Sequence, residues 1–130
     1  MFVFANPIVS VGSVSFTGTG SVSSRTIGSD PHEYIVNLTG VTNAQRVTVT
    51  LNNVTDTVGN ASASIAAPMG VLLGDTNADA FTDAIDTSQT KSQSGHPVTN
   101  SNFREDVNVD GFIDAIDTSL VKSKSGTALP

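Results

Sequence analysis

Two stretches of the chain, DTNADAFTDAID from Asp75 to Asp86 and DVNVDGFIDAID from Asp106 to Asp117, are near copies set 31 residues apart. From Asp75 to Gly95 against Asp106 to Gly126, 14 of 21 positions are identical, which marks an internal duplication. In both copies the acidic stretch leads into DAIDTS and then Lys-Ser-x-Ser-Gly. That order predicts a loop followed by one short helix, with Gly95 or Gly126 at the helix exit. HPVTNSNFRE joins the copies.

The duplication also concentrates the charge. Of 12 acidic residues in a chain of net charge -6, eight belong to the two combs. Residues 1–73 hold only Asp30, Glu33 and Asp56 against Arg25 and Arg46. Nucleic acid is a poor partner for such a surface, because phosphate neutralisation needs clustered Lys and Arg, and the six present are scattered. With no cysteine there is neither a disulfide framework nor a thiolate metal site. Apolar runs such as Val71 to Leu73 are far too short to span a bilayer. Met1 is followed directly by FVFANP, without the basic and sustained apolar regions of a signal peptide.

The spacing of the acids suits a hard cation. Calcium takes six to eight oxygen ligands, and a twelve-residue loop supplies them from positions 1, 3, 5, 7, 9 and 12. In the first copy these are Asp75, Asn77, Asp79, the backbone carbonyl of Phe81, Asp83 through water, and Asp86. In the second they are Asp106, Asn108, Asp110, the carbonyl of Phe112, Asp114 and Asp117. Four carboxylates within twelve residues repel one another unless a cation is bound. We therefore expect two Ca2+ per chain. Position 6 turns with positive φ and favours glycine, which the second copy supplies as Gly111 where the first has Ala80, so the second loop is expected to bind more tightly.

A calcium loop ending in Asp, followed by one helix and repeated after a linker, resembles the dockerin modules of bacterial extracellular proteins. The resemblance covers Gly74 to about Leu129. It implies two half EF-hands related by a pseudo-twofold axis, an extracellular or cell-surface location, and docking onto a cohesin-like partner. In that family recognition uses helix positions 10 and 11 of each repeat, here Ala84-Ile85 and Ala115-Ile116.

Ahead of the duplication, Tyr34–Val41, Arg46–Val54 and Ser62–Ala66 alternate apolar and polar residues between turn signals and read as antiparallel strands. Pro68 and Gly70 are expected to end the last of them. Upstream, FVFA, PIVSVGSVSF and GSVSSRTI supply further strand candidates. The stretch YIVNLTGVTNAQRVTVTLNNVTDTVGNASAS resembles the closing strands of bacterial immunoglobulin-like domains. The expected fold is thus mainly β with a small α part: an incomplete immunoglobulin-like β-sandwich over 1–73, then a dockerin-like pair of calcium loop-helix repeats over 74–130. Met69, Val71, Leu72 and Leu73 at the junction are expected to pack against Ile85, Ile116, Leu120 and Val121.

A complete sandwich needs about seven strands in about 100 residues, more than 1–73 provides. The segment from residue 1 to about 16 is accordingly read as a donor strand that completes a neighbouring subunit, with Phe2, Phe4, Ile8, Val9 and Val11 filling its groove. Such a contact repeats without closing, which implies a pilus-like homopolymer. The alternative is an anchoring module that binds a cohesin-like receptor. His32 and His96 are isolated, and no nucleophile, phosphate loop or acid-base pair suggests an enzyme. Sequons at Asn37, Asn53 and Asn60 could carry surface glycan.

Overall fold

The computed structural model describes all 130 residues, Met1–Pro130. They form two compact units, one of Met1–Thr42 with Arg46–Met69 and one of Asn43–Gln45 with Gly70–Pro130. The chain is mainly β with two short helices.

The first unit is built on β1 (Phe2–Val3), β2 (Ile8–Thr17), β3 (Ser21–Ile27), β4 (Glu33–Thr39), β5 (Gln45–Asp56) and β6 (Ala61–Val71), with the first residue of β5 and the last two of β6 belonging to the second unit. They make two three-stranded sheets in the orders β1-β4-β3 and β2-β5-β6. In β5 the alternation of side chains puts Val47, Val49 and Leu51 inward, all at most 2% exposed. Asn53, at φ +52°, breaks that alternation, and the next buried residue is Val54. A Cβ added to Gly12, on the paired strand β2, would lie 3.1 Å from the Cβ of Asn53, a tight approach that glycine avoids.

Ile8, Tyr34, Leu51 and Val54 form the buried core, with Phe2, Phe4, Val11, Val14, Ile27, Val36 and Ile65 packed around it. Residues of both sheets therefore share one apolar interior. The β5–β6 turn is tied by Asp56, whose Oδ1 accepts the N–H groups of Val58 (3.0 Å) and Asn60 (2.8 Å). Its Oδ2 accepts from the side chains of Asn60 (2.7 Å) and Asn6 (2.9 Å).

Two expectations are corrected here. Strand β6 does not stop at Pro68 but runs to Val71. It lies at the end of its sheet order, where a residue without an N–H is tolerated. The N-terminal segment, expected to serve a neighbour, is seated in its own unit. Phe2 pairs with Tyr34, and Phe4 and Ile8 donate to the carbonyls of His32 (2.9 Å) and Pro31 (2.8 Å). Ile8 is 5% exposed, Phe2, Phe4 and Val11 pack on the same core, and Val9 faces outward. The side chains that would anchor a donated strand already have intramolecular partners, so assembly of a pilus-like homopolymer is not supported.

The second unit contains β7 (Phe81–Thr82), α1 (Ala84–Gln93), α2 (Ala115–Lys124) and β8 (Thr127–Ala128). The helices pack on each other. Each ends at a serine cap followed by a glycine in the left-handed region, Gly95 at φ +86° and Gly126 at φ +91°. Its interior is largely polar: Thr82, Thr90, Asp86 and Asp117 are fully buried beside Ile113 and Val121. Ile85 and Ile116, expected at the junction, are instead 59% exposed.

Candidate metal centre

Each acidic loop is shaped by its own carboxylates. In short turns an Asp or Asn side chain accepts from amides a few residues ahead and so replaces a missing backbone bond. Asp75 accepts the N–H of Asp79 through Oδ1 (3.1 Å) and that of Ala80 through Oδ2 (3.0 Å). Asn77 Oδ1 also accepts from Asp79 (3.0 Å), and Asp79 Oδ1 from Phe81 (2.9 Å). Loop two repeats this bond for bond. Asp106 accepts from Asp110 (3.1 Å) and Gly111 (3.0 Å), Asn108 from Asp110 (3.0 Å), and Asp110 from Phe112 (3.0 Å).

The last two acids of each comb start the helix. Asp83 is the N-cap of α1 and accepts from Ile85 (2.7 Å), while Asp86 Oδ2 accepts the N–H of Asp83 (2.8 Å), a reciprocal capping box. Asp114 and Asp117 do the same for α2, at 2.6 and 2.9 Å. The other oxygen of each buried acid reaches back to the beginning of the loop. Asp86 Oδ1 accepts from the backbone of Thr76 (2.9 Å) and Asn77 (3.2 Å), and Asp117 Oδ1 from Val107 (2.9 Å) and Asn108 (3.3 Å). Position 12 thereby closes each loop on itself.

The residues present fit calcium. Every candidate ligand is an oxygen, from Asp, Asn or a backbone carbonyl, which is the donor set of a hard cation. Asp86 and Asp117 are fully buried, and the donors described above are neutral amides that leave the carboxylate charge uncompensated. Asn77 and Asn108 donate their Nδ2 groups to Asp79 and Asp110 at 2.9 and 2.8 Å, while their Oδ1 atoms accept the N–H groups of the same two residues. A cation in either loop would be held by Asp75, Asn77, Asp79, Phe81, Asp83 and Asp86, or by Asp106, Asn108, Asp110, Phe112, Asp114 and Asp117. It would supply the countercharge that lets these groups converge.

Backbone strain falls at two positions per loop, of which sequence reasoning found one. Position 6 is left-handed in both, Ala80 at φ +74° and Gly111 at φ +90°. Position 4 is left-handed as well, Ala78 at φ +63° and Val109 at φ +59°. The duplicated register could have revealed it, but neither Ala nor Val signals a left-handed residue. Thr76 was also missed: its hydroxyl gives Asp86 a further donor at 3.2 Å, which Val107 cannot offer Asp117.

The prospective glycan sites are already engaged in part. The Nδ2 of Asn37 donates to Ser24 (2.8 Å) and that of Asn60 to Asp56 (2.7 Å), so a sugar on either nitrogen would compete with a bond of the β unit.

Residues 73–124 match the family model of the dockerin type I domain. No curated protein and no solved structure matches the chain.

Proposed function

We propose that the chain is a non-catalytic anchoring protein, in which the dockerin type I module at residues 73–124 docks onto a cohesin-like partner and holds the β unit ahead of it at that place. Dockerin domains bind Ca2+ in paired EF-hand-like loops, and the two combs supply that pair. Dockerin modules typically belong to secreted or cell-surface proteins, which favours an extracellular site of action.

The observation that carries the reading is the pair Ile85 and Ile116. They occupy the same position in the two repeats, in the first turn of each helix, and are equally exposed at 59%. An apolar residue left in water at the same place in both repeats favours a protein-binding surface there. Calcium fixes the loops from which both helices start, so docking is expected to be calcium-dependent.

The test is a titration of the full chain against purified cohesin modules, in calcium and in chelator. Binding that appears in calcium, weakens with Ile85→Asp or Ile116→Asp and is lost in the double variant supports the proposal. Binding indifferent to both substitutions and to chelator would place recognition elsewhere.

A further inference from the structure

The two repeats close on each other, and the closure of loop one depends on residues beyond the family match. The first repeat ends at Gly95, whose N–H donates to the carbonyl of Ile113 in loop two (2.8 Å), and Pro97 bridges to Phe112. The second repeat ends at Gly126, whose N–H donates to the carbonyl of Thr82 in loop one (2.8 Å). From there β8 continues the pairing, Thr127 against Thr82 and Ala128 against Phe81, and the N–H of Leu129 donates to the carbonyl of Ala80 (3.0 Å). Positions 6, 7 and 8 of loop one are thus all held by residues 126–129.

Leu129 also makes contact through its side chain. A Cβ added at Gly70 would lie 2.5 Å from its Cδ1, so the tip of the leucine rests where a side chain at position 70 would begin and would have to move if one were there. Ala80, the residue it grips, is strained at φ +74°, and Phe81, next along, offers the candidate carbonyl ligand. An external bond to a left-handed alanine offsets the local preference to relax.

We propose that Leu129, held against Gly70, is a positioning residue for the first calcium loop: it keeps Ala80 left-handed and the Phe81 carbonyl in place, while loop two is served by the linker residues 95–97. The inference rests on calcium occupying both loops. By linkage, calcium in loop one and docking of the 127–129 strap strengthen each other.

The experiment is calcium titration of the full chain, with the amide signals of Ala80 and Gly111 followed by NMR as reporters of loops one and two. Leu129→Pro removes the donor to Ala80, and Gly70→Val displaces the leucine. Each should weaken loop one about tenfold and leave loop two within about twofold, with Leu129→Ile near the unsubstituted chain. Equal weakening of both loops, or of neither, would overturn the proposal. On the unsubstituted chain, hydrogen exchange at the Leu129 amide should slow as loop one fills, and an unchanged rate would also overturn it. Failure of the unsubstituted chain to bind calcium at all would instead remove the calcium reading beneath it.

Discussion

Thr76 donates its backbone N–H to Oδ1 of Asp86 at 2.9 Å, joining residues ten apart through a carboxylate with no exposure to solvent. Because Oδ2 of the same group accepts the N–H of Asp83, one side chain fastens the start of loop one to the start of α1. Val107, Asp117 and Asp114 repeat the arrangement.

Asp86→Asn is therefore expected to damage more than metal binding. An amide can accept on one side only, so its NH2 group must confront either the N–H of Thr76 or that of Asp83. The unsatisfied donor should cost about 1–3 kcal/mol even in chelator. Denaturant unfolding with and without calcium measures both effects. A variant unaffected in chelator would show that the double acceptor is not structurally important.

The left-handed residues set a second expectation. Ala80→Gly should stabilise loop one by about 1 kcal/mol and tighten its calcium binding about fivefold. Val109→Gly should do at least as much for loop two, because a β-branched residue tolerates positive φ poorly. We propose loop two as the tighter site on the strength of Gly111, with Val109 acting in the opposite direction. Site-resolved titration of the three proteins would measure both contributions, and unchanged affinities would refute them.

Asp56 gives the β unit an acid-sensitive turn. The side-chain hydrogen bond from Asn60 leads the interactions that hold its carboxyl below the usual range, with Asn6 and the N–H groups of Asn60 and Val58 adding to it. A carboxylate with a lowered folded pKa contributes stability that is present above its unfolded value, about 3.9, and lost as pH falls through the folded one. Asp56→Ala should therefore destabilise the unit at neutral pH, with the difference shrinking below about pH 4. A difference that is constant from pH 7 to pH 2 would contradict this.

Seating of the N-terminal segment in its own core predicts an ordinary intramolecular cost for its removal. Ile8→Ala should destabilise the β unit by about 2–4 kcal/mol, with an unfolding midpoint independent of protein concentration. A midpoint that rises with concentration would restore exchange of the strand between chains.

The sequence was most informative where chemistry repeats. Asp75 to Asp86 and Asp106 to Asp117 could be read as paired loops because ligand chemistry fixes residue type and spacing together, and their internal hydrogen bonds match apart from the one made by the Thr76 hydroxyl. The strands were legible wherever alternation held, as in Val47, Val49 and Leu51, and were misjudged where backbone context decides. Pro68 signals a strand end locally, yet an edge position needs no N–H from it. Phe2 and Phe4 could look like a donor strand because composition does not say whose groove an apolar segment fills; Tyr34 answers that only through the fold. The pairing of 127–129 with loop one carries no local signal, since Thr, Ala and Leu suit many structures.

The reciprocal bonds of Gly95 and Gly126 have a bearing on descent. Each repeat ends by capping the loop of the other, so a lone repeat leaves its loop carbonyl without that amide and its helix without a neighbour. An ancestor with one copy could satisfy both only by meeting a second molecule like itself, in a twofold dimer whose two contacts are identical. With both copies in one chain, that encounter between molecules becomes a contact within one. The smallest self-sufficient unit is thus the pair, and its internal symmetry presents the same isoleucine to the outside twice.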